Sequence, residues 1–301
     1  NSGTAASSDP DSARSEDTNT KLFRLLSSAK TGIEFTNILN ETNEINFYQW
    51  DYLYNGGGSA IGDLDNDGLP EVYFTGTISE DKLYRNKGNL TFEDISNSSG
   101  IGNRGGLKTG VTMVDINNDG LLDIYVCRSG FFKDESTHEN LLYVNQGNLK
   151  FSEMAAEYGL NDSGNSIHAG FFDYDMDGDL DCYITSHPGF RLKYKEVFAG
   201  IANPSDKESD KLYRNDNGKF TNISRAAGVH NFGHGLGLGI SDLNNDGHTD
   251  VYVANDFQLP DFYYVNQGNG TFTDQVKNAF PHCPYFSMGT DIADFNNDGL
   301  L

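Results

Sequence analysis

One short acidic phrase returns five times along the chain, and its spacing constrains the fold more than any other feature. The copies start at Asp63, Asp115, Asp173, Asp242 and Asp294. A period of about 50 to 70 residues marks a repeat architecture with one supersecondary unit per repeat. Other signals recur with the phrase. A run rich in small residues precedes each copy, at 56–61, 109–114, 169–172, 235–240 and 287–293. A β-prone run follows each complete copy, at 72–74, 124–126, 182–184 and 251–253. A third run ends in asparagine at Asn86, Asn145, Asn215 and Asn266, and a fourth begins at Phe92, Phe151, Phe220 and Phe272. The Asn/Gly-rich links between the last two runs read as hairpins. Each repeat is therefore four antiparallel strands, which is one blade of an all-β propeller, and glycines in the first strand suit a crowded central axis. Four complete repeats and the start of a fifth occupy residues 51–301.

The phrase has its own chemistry. Its first three acidic or amide positions are Asp63, Asp65, Asp67; Asp115, Asn117, Asp119; Asp173, Asp175, Asp177; Asp242, Asn244, Asp246; and Asp294, Asn296, Asp298. A glycine at position 6 permits a tight turn that lets these oxygens converge. Position 7, held by Leu69, Leu121, Asp179 and His248, offers a backbone carbonyl whatever its side chain. Position 9 closes the set with Glu71, Asp123, Asp181 and Asp250. An all-oxygen set with several carboxylates suits Ca²⁺ better than Mg²⁺, which demands a strict octahedron and keeps its water. Zinc would want histidine or cysteine, and neither recurs. The loop is not an EF-hand, because position 12, where that motif needs glutamate, is Phe74, Val126, Ile184 or Val253. The bland reading is an Asx-rich turn without metal. Loops two and four have one carboxylate fewer and are expected to bind more weakly.

The chain carries 44 acidic and 21 basic residues, a net charge of −23. Such acidity argues against nucleic acid and against adsorption to anionic membranes. No apolar run is long enough to span a bilayer. Cys127, Cys182 and Cys283 match no metal spacing and read as buried thiols. The Gly-rich 235–239 stretch is not a nucleotide loop, since no helix-forming segment follows it. Residues 1–20 read as a flexible polar tether. Residues 21–50 repeat the fourth-strand pattern of 92–101, so this segment is expected to supply an outer strand that closes the ring; an independent cap is the alternative. Weak calcium sites make most sense outside the cell, where calcium is abundant.

The repeat resembles the FG-GAP/VCBS family, the calcium-loop blades of the integrin alpha-chain propeller. It is nearer to the bacterial branch related to cartilage acidic protein, whose members often carry a C-terminal ASPIC/UnbV segment. The carrying residues are 23–35, 54–58, 253–257, and 287–289 before the loop at 294–299. The resemblance covers about 21–301 and implies a seven-bladed, exported propeller. It also makes 1–20 look like the start of a mature bacterial outer-membrane lipoprotein, with a lipid anchor upstream of residue 1.

Repetition favours structural calcium, since a catalytic ion is usually singular. The expected function is a binding, adhesion or scaffold module for a protein partner at the cell surface or in an outer-membrane complex, without catalysis. A glycan-binding lectin-like propeller is the alternative, and a polysaccharide lyase or hydrolase a more distant one. Second-to-third strand loops lie on the face opposite the metal loops. The longest of them holds Phe190, Arg191, Lys193, Tyr194 and Lys195, a basic and aromatic island expected to contact the partner.

Overall fold

The computed structural model describes residues 23–50, 52–102, 104–130, 135–188, 199–257 and 259–301. Sixteen strands among them form four four-stranded antiparallel sheets, each built from consecutive strands. The first holds β1 (Ser59–Gly62), β2 (Glu71–Phe74), β3 (Lys82–Asn86) and β4 (Phe92–Asp94). The second holds β5 (Leu107–Val114), β6 (Asp123–Ser129), β7 (Leu141–Asn145) and β8 (Phe151–Glu153). The third holds β9 (Ser166–Phe172), β10 (Asp181–Ser186), β11 (Lys211–Asn215) and β12 (Phe220–Asn222). The fourth holds β13 (Gly235–Ser241), β14 (Asp250–Asn255), β15 (Phe262–Asn266) and β16 (Phe272–Asp274). The acidic phrase joins the first strand to the second in every sheet. In the first sheet Gly62 faces Glu71 across the pair and Ser59 faces Phe74, so the phrase is the connecting loop of a hairpin.

The first strands β1, β5, β9 and β13 touch in succession, which sets them around a common axis as the inner strands of blades. The apolar core lies between sheets. One cluster joins Tyr73 and Leu83 of blade 1 to Ile124, Val126 and Leu141 of blade 2. A second joins Tyr125, Cys127 and Leu142 to Cys182, Ile184 and Tyr213. A third joins Tyr183 and Leu212 to Val251, Val253 and Tyr264. Each fully buried aliphatic side chain contributes roughly 1.5–3 kcal/mol, so adjacent blades stabilise one another. β6 and β10 are buried at every residue. Strands sandwiched on both faces lose the inside–outside alternation of a one-sided sheet. Cys127 and Cys182 are buried free thiols, whereas Cys283 is only half-buried.

A one-turn helix ending in glycine follows the outer strand of the first three blades: Ser96–Ser99 with Gly100, Ala155–Tyr158 with Gly159, and Ser224–Ala227 with Gly228; in the fourth, Val276–Ala279 ends at Phe280. These glycines have φ of 80 to 89°. A Cβ on Gly100, Gly159 or Gly228 would lie under 3.0 Å from the carbonyl oxygen of Phe151, Phe220 or Phe272 in the next blade. Both the left-handed backbone and the close approach require glycine there.

Residues 23–50 run along blade 1. Gly32, after the turn Ser28–Thr31, takes toward the Phe92 carbonyl the place that Gly100 takes toward Phe151. Phe35 stacks on Phe74 with ring centroids 4.9 Å apart. Asn37 exchanges hydrogen bonds with Thr77, donating to its Oγ1 and accepting from its N–H. Trp50, Tyr52 and Leu53 then bury themselves with Leu107 at the end of the axis away from the acidic loops.

Two regions depart from the sequence reading or fall outside it. Residues 287–293, expected as an inner strand, form no strand. The island Phe190, Arg191, Lys193, Tyr194 and Lys195 lies outside the described residues, as does the tether 1–20.

Candidate metal centres

All five acidic phrases fold the same way. The position-1 aspartate caps the turn: Asp63 Oδ1 accepts the Asp67 N–H at 3.1 Å and its Oδ2 accepts the Gly68 N–H at 2.8 Å. Asp115, Asp173, Asp242 and Asp294 repeat both bonds. The position-5 aspartates Asp67, Asp119, Asp177, Asp246 and Asp298 each accept the N–H of position 7. That N–H belongs to Leu69, Leu121, Asp179, His248 and Leu300 in turn. Where position 3 is asparagine, the Nδ2 groups of Asn117, Asn244 and Asn296 donate to Asp119, Asp246 and Asp298. Position 4 is left-handed in every copy, with φ of 57 to 63° at Asn66, Asn118, Met176, Asn245 and Asn297. Asparagine tolerates that region best among residues with a side chain. Its four occurrences were the sequence signal for this conformation, which the phrase's acids overshadowed.

Position 9 does more than the sequence suggested. Glu71, Asp123, Asp181 and Asp250 are fully buried. Each uses both carboxylate oxygens to tie its own loop to the third strand. Glu71 accepts the Leu64 and Asn86 N–H groups, and Asp123 those of Ile116 and Asn145. Asp181 accepts from Tyr174 and Asn215, and Asp250 from Leu243 and Asn266 with the Tyr263 hydroxyl besides. Burial pushes the Asp123 carboxyl up to about 6 and Asp181 to about 7, backbone donors opposing the shift and neighbouring aspartates adding to it. Glu71 and Asp250 are raised for the same first reason. A carboxyl so placed is short of positive charge, which a cation in the loop would supply.

Loops one and three gather their charge most tightly. Carboxylate oxygens of Asp63, Asp65 and Glu71 lie within 4.8 Å of one another, as do those of Asp173, Asp175 and Asp177. Loops two, four and five, with asparagine at position 3, form no such carboxylate trio. A more specific sign comes from position 3 itself. Asp65 Oδ1 and Asp175 Oδ1 are sealed from solvent and accept no hydrogen bond, and Asp179 Oδ1 shares that condition. A buried carboxylate oxygen without a donor is costly unless a cation takes it. The donor set is all oxygen, so a hard divalent ion fits it. Arg85 approaches the first loop, with Nη2 3.1 Å from Asp65 and 3.7 Å from Asp67.

The third-strand asparagines connect neighbouring loops. Asn145 Nδ2 donates to the Leu64 carbonyl of loop one, and Asn266 Nδ2 to the Tyr174 carbonyl of loop three. Asn66 of loop one donates to the Gly120 carbonyl of loop two. The sequence marked these strand-end asparagines only as turn residues.

A second repeated polar cluster sits at the far end of each second strand, and sequence reading missed it. Asp81, Asp210 and Asp261 stand immediately before a third strand. Each accepts a tyrosine hydroxyl from the second strand: Tyr73, Tyr183 and Tyr252, at 2.9, 2.9 and 2.7 Å. Each also accepts a backbone N–H, from Gly76, Ser186 and Asn255. Asn140 takes this place in blade 2, donating to Tyr125 and accepting from Arg128 N–H. The available signal was an acid or amide ahead of each Leu-Tyr or Tyr-Tyr pair.

Comparison with known proteins fits this arrangement. An FG-GAP-like repeat model matches residues 63–126, 193–253 and 242–301. Cartilage acidic protein 1 of Homo sapiens is 25% identical over 257 residues, 81% of this chain and 38% of the relative. The Xenopus tropicalis protein of that name is 24% identical over 261 residues, 81% of this chain and 39% of the relative. The chain thus spans under two-fifths of the length of these curated relatives. Among solved structures, a lectin of Agrocybe aegerita described as recognising non-reducing terminal N-acetylglucosamine aligns with TM-score 0.40 and 18% identity. It covers 71% of this chain and 50% of the lectin. The V. cholerae biofilm matrix protein Bap1 aligns with TM-score 0.37 and 16% identity, over 74% of this chain and 30% of Bap1. No helix among the described residues is long and apolar enough to cross a membrane. With the repeat model covering more than half of the chain, and its blades and acidic loops laid out as above, the chain belongs to the FG-GAP-like repeat family.

Proposed function

We propose that this chain is a calcium-stabilised propeller that serves as a binding or adhesion module outside the cell. The observation that carries the metal assignment is the pair of sealed, donorless oxygens, Asp65 Oδ1 and Asp175 Oδ1, at equivalent positions of two loops. Calcium would be held by positions 1, 3, 5 and 9 with the position-7 carbonyl. In loop one these are Asp63, Asp65, Asp67, Glu71 and the carbonyl of Leu69. The ion would neutralise a turn that otherwise crowds like charges between the inner and second strands. Its role is structural, because every repeat carries the loop and no copy is singled out.

Family membership and a rigid array of blades support binding rather than catalysis. The partner is a protein at the cell surface, with a glycan as the other candidate, and a lipid anchor ahead of residue 1 would hold the module there. Calorimetric titration of the chelator-stripped protein tests the metal reading. Uptake of about four calcium ions, matched by elemental analysis, is the expected result. A protein that takes up no calcium would refute it. Capture of a cell-surface partner by the calcium-loaded chain, lost on chelation, tests the binding role.

A further inference from the structure

The face opposite the metal loops carries a cavity of about 400 Å³, within the range of small-ligand sites. It lies where the inner strands of the blades come together. Inner strands run from that face toward the metal loops, and the cavity is lined where they begin, by Thr109 and Gly110 of β5, His168 of β9 and Leu236 of β13. Tyr52 and Asp256 complete the wall.

Asp256 is the informative residue. It follows β14, and only 3% of its surface is exposed. Other acids at this end of the blades are better compensated. Asp81 has Lys108 at 3.3 Å, and Asp162 has Lys211 at 3.6 Å. Asp261 accepts from Asn255, Tyr252 and Ser287. Among the described residues, Asp256 accepts only the Phe257 N–H of its own turn, at 2.9 Å, and the Tyr52 hydroxyl at a long 3.3 Å. No described residue forms an ion pair with it. An ionised carboxylate has about four acceptor positions, and an uncompensated buried charge is costly, so this one has capacity left facing the cavity. Tyr52 is fixed in place: its ring centroid lies 4.4 Å from that of His187, which in turn lies 4.9 Å from Trp50. Burial holds His187 neutral, with its pKa near 3. Among the described residues no group hydrogen-bonds to the His168 ring, and burial lowers its pKa, so one ring nitrogen is an available acceptor. The site therefore offers one negative charge and a neutral acceptor between apolar walls.

We propose that this cavity binds a primary ammonium group, with the Asp256 carboxylate as its counterion and His168 as a second acceptor. An ammonium suits the site better than a guanidinium, since Asp256 Oδ1 already serves Phe257 and a bidentate fork needs both oxygens. The net charge of −23 draws cations toward the protein at long range. Two sources carry this chemistry, a lysine side chain of a protein partner and an amino sugar. The inference builds on the binding-module reading but not on its calcium, as no metal-loop residue lines the cavity. Amine binding and calcium uptake are separate readouts, so either can fail alone.

The test is calorimetric titration of the calcium-loaded chain with Nα-acetyl-lysine methylamide and with glucosamine. Their Nε-acetylated and N-acetylated counterparts serve as neutral controls. We expect the amines to bind and the acetylated probes not to. The tighter amine identifies the source. Asp256→Asn, which keeps shape and the Phe257 hydrogen bond, should weaken binding about tenfold or more. Met288→Lys places a competing cation on an exposed cavity residue without disturbing the core, and should weaken it too. Absence of amine binding at millimolar concentration overturns the proposal. So do equal binding of acetylated and free probes, and unchanged binding in both variants.

Discussion

The two ends of each second strand solve the same electrostatic problem in opposite ways. At the metal-loop end, Glu71, Asp123, Asp181 and Asp250 bury a carboxylate whose donors are backbone amides, joined only in Asp250 by a side-chain hydroxyl. At the far end, Asp81, Asp210 and Asp261 bury a carboxylate that receives a tyrosine hydroxyl besides a backbone amide. Asp81 also has the ammonium of Lys108 beside it. Blade 2 shows how the ends differ. Its far-end acid is replaced by Asn140, which keeps the tyrosine and backbone contacts without charge. Its metal-loop acid, Asp123, is retained. The far end keeps a hydrogen-bonding shape, whereas the loop end keeps a negative charge, as the proposed calcium would require.

Stripping calcium should separate the two ends most strongly. Occupied loops each stabilise by about 2–3 kcal/mol when calcium is at 100 times Kd, so chelation is expected to lower Tm by roughly 10 °C or more. The pH response of the stripped protein then carries a definite sign. Asp123 and Asp181, raised to about 6 and 7, favour the protonated folded state. Their contribution is complete below the ordinary carboxyl value near pH 4 and is lost as pH rises through 6 to 7. Chelated protein should therefore lose stability from pH 4 to 7, and calcium should restore more at pH 8 than at pH 5. Scanning calorimetry showing the same Tm with and without chelator would erase the distinction between the ends.

Lys108→Met is the next largest expected effect. It leaves Asp81 buried without its cation, at a cost of about 3–5 kcal/mol. Adding Asp81→Asn imitates blade 2 and should recover most of that loss in urea unfolding. Failure to recover would mean that the far end also depends on charge. A smaller loss, about 1 kcal/mol, is expected for Tyr73→Phe. It should be equal with and without calcium, since Tyr73 serves the far end. Arg85→Gln should have the smallest effect. Its guanidinium shares Asp65 and Asp67 with any incoming ion but is well exposed. Calcium affinity at loop one should rise only about two- to fivefold, as expected of a solvent-screened pair. The Gly68 amide resonance reports it site by site.

Much of this arrangement could be read from the sequence, because a loop and its strands are local. The phrase starting at Asp63 fixes its own turn through bonds spanning four and five residues. Its period marks the blades. What could not be read arises from chain separated in sequence. Asn145 reaches Leu64 across 81 residues, and Asn266 reaches Tyr174 across 92. Tyr52 meets Asp256 across 204. An aspartate before a strand, such as Asp210, looks like any turn residue until folding surrounds it with Tyr183 and Asn231. The basic island at 190–195 stood out by composition and lies outside the described residues, whereas Asp256 stood out only once its burial was known.

The glycine that seats the outer turn of blades 1 to 3 on the following blade bears on how the chain is made. Gly100 belongs to the end of blade 1, but the carbonyl it packs against is that of Phe151. During synthesis from the N-terminus, the first blade leaves the ribosome before the strand that fastens it. Blades 1 to 3 are thus each locked by the blade that follows. A growing chain always carries one unlatched blade, and a stalled one exposes the apolar face at which the next sheet should have arrived.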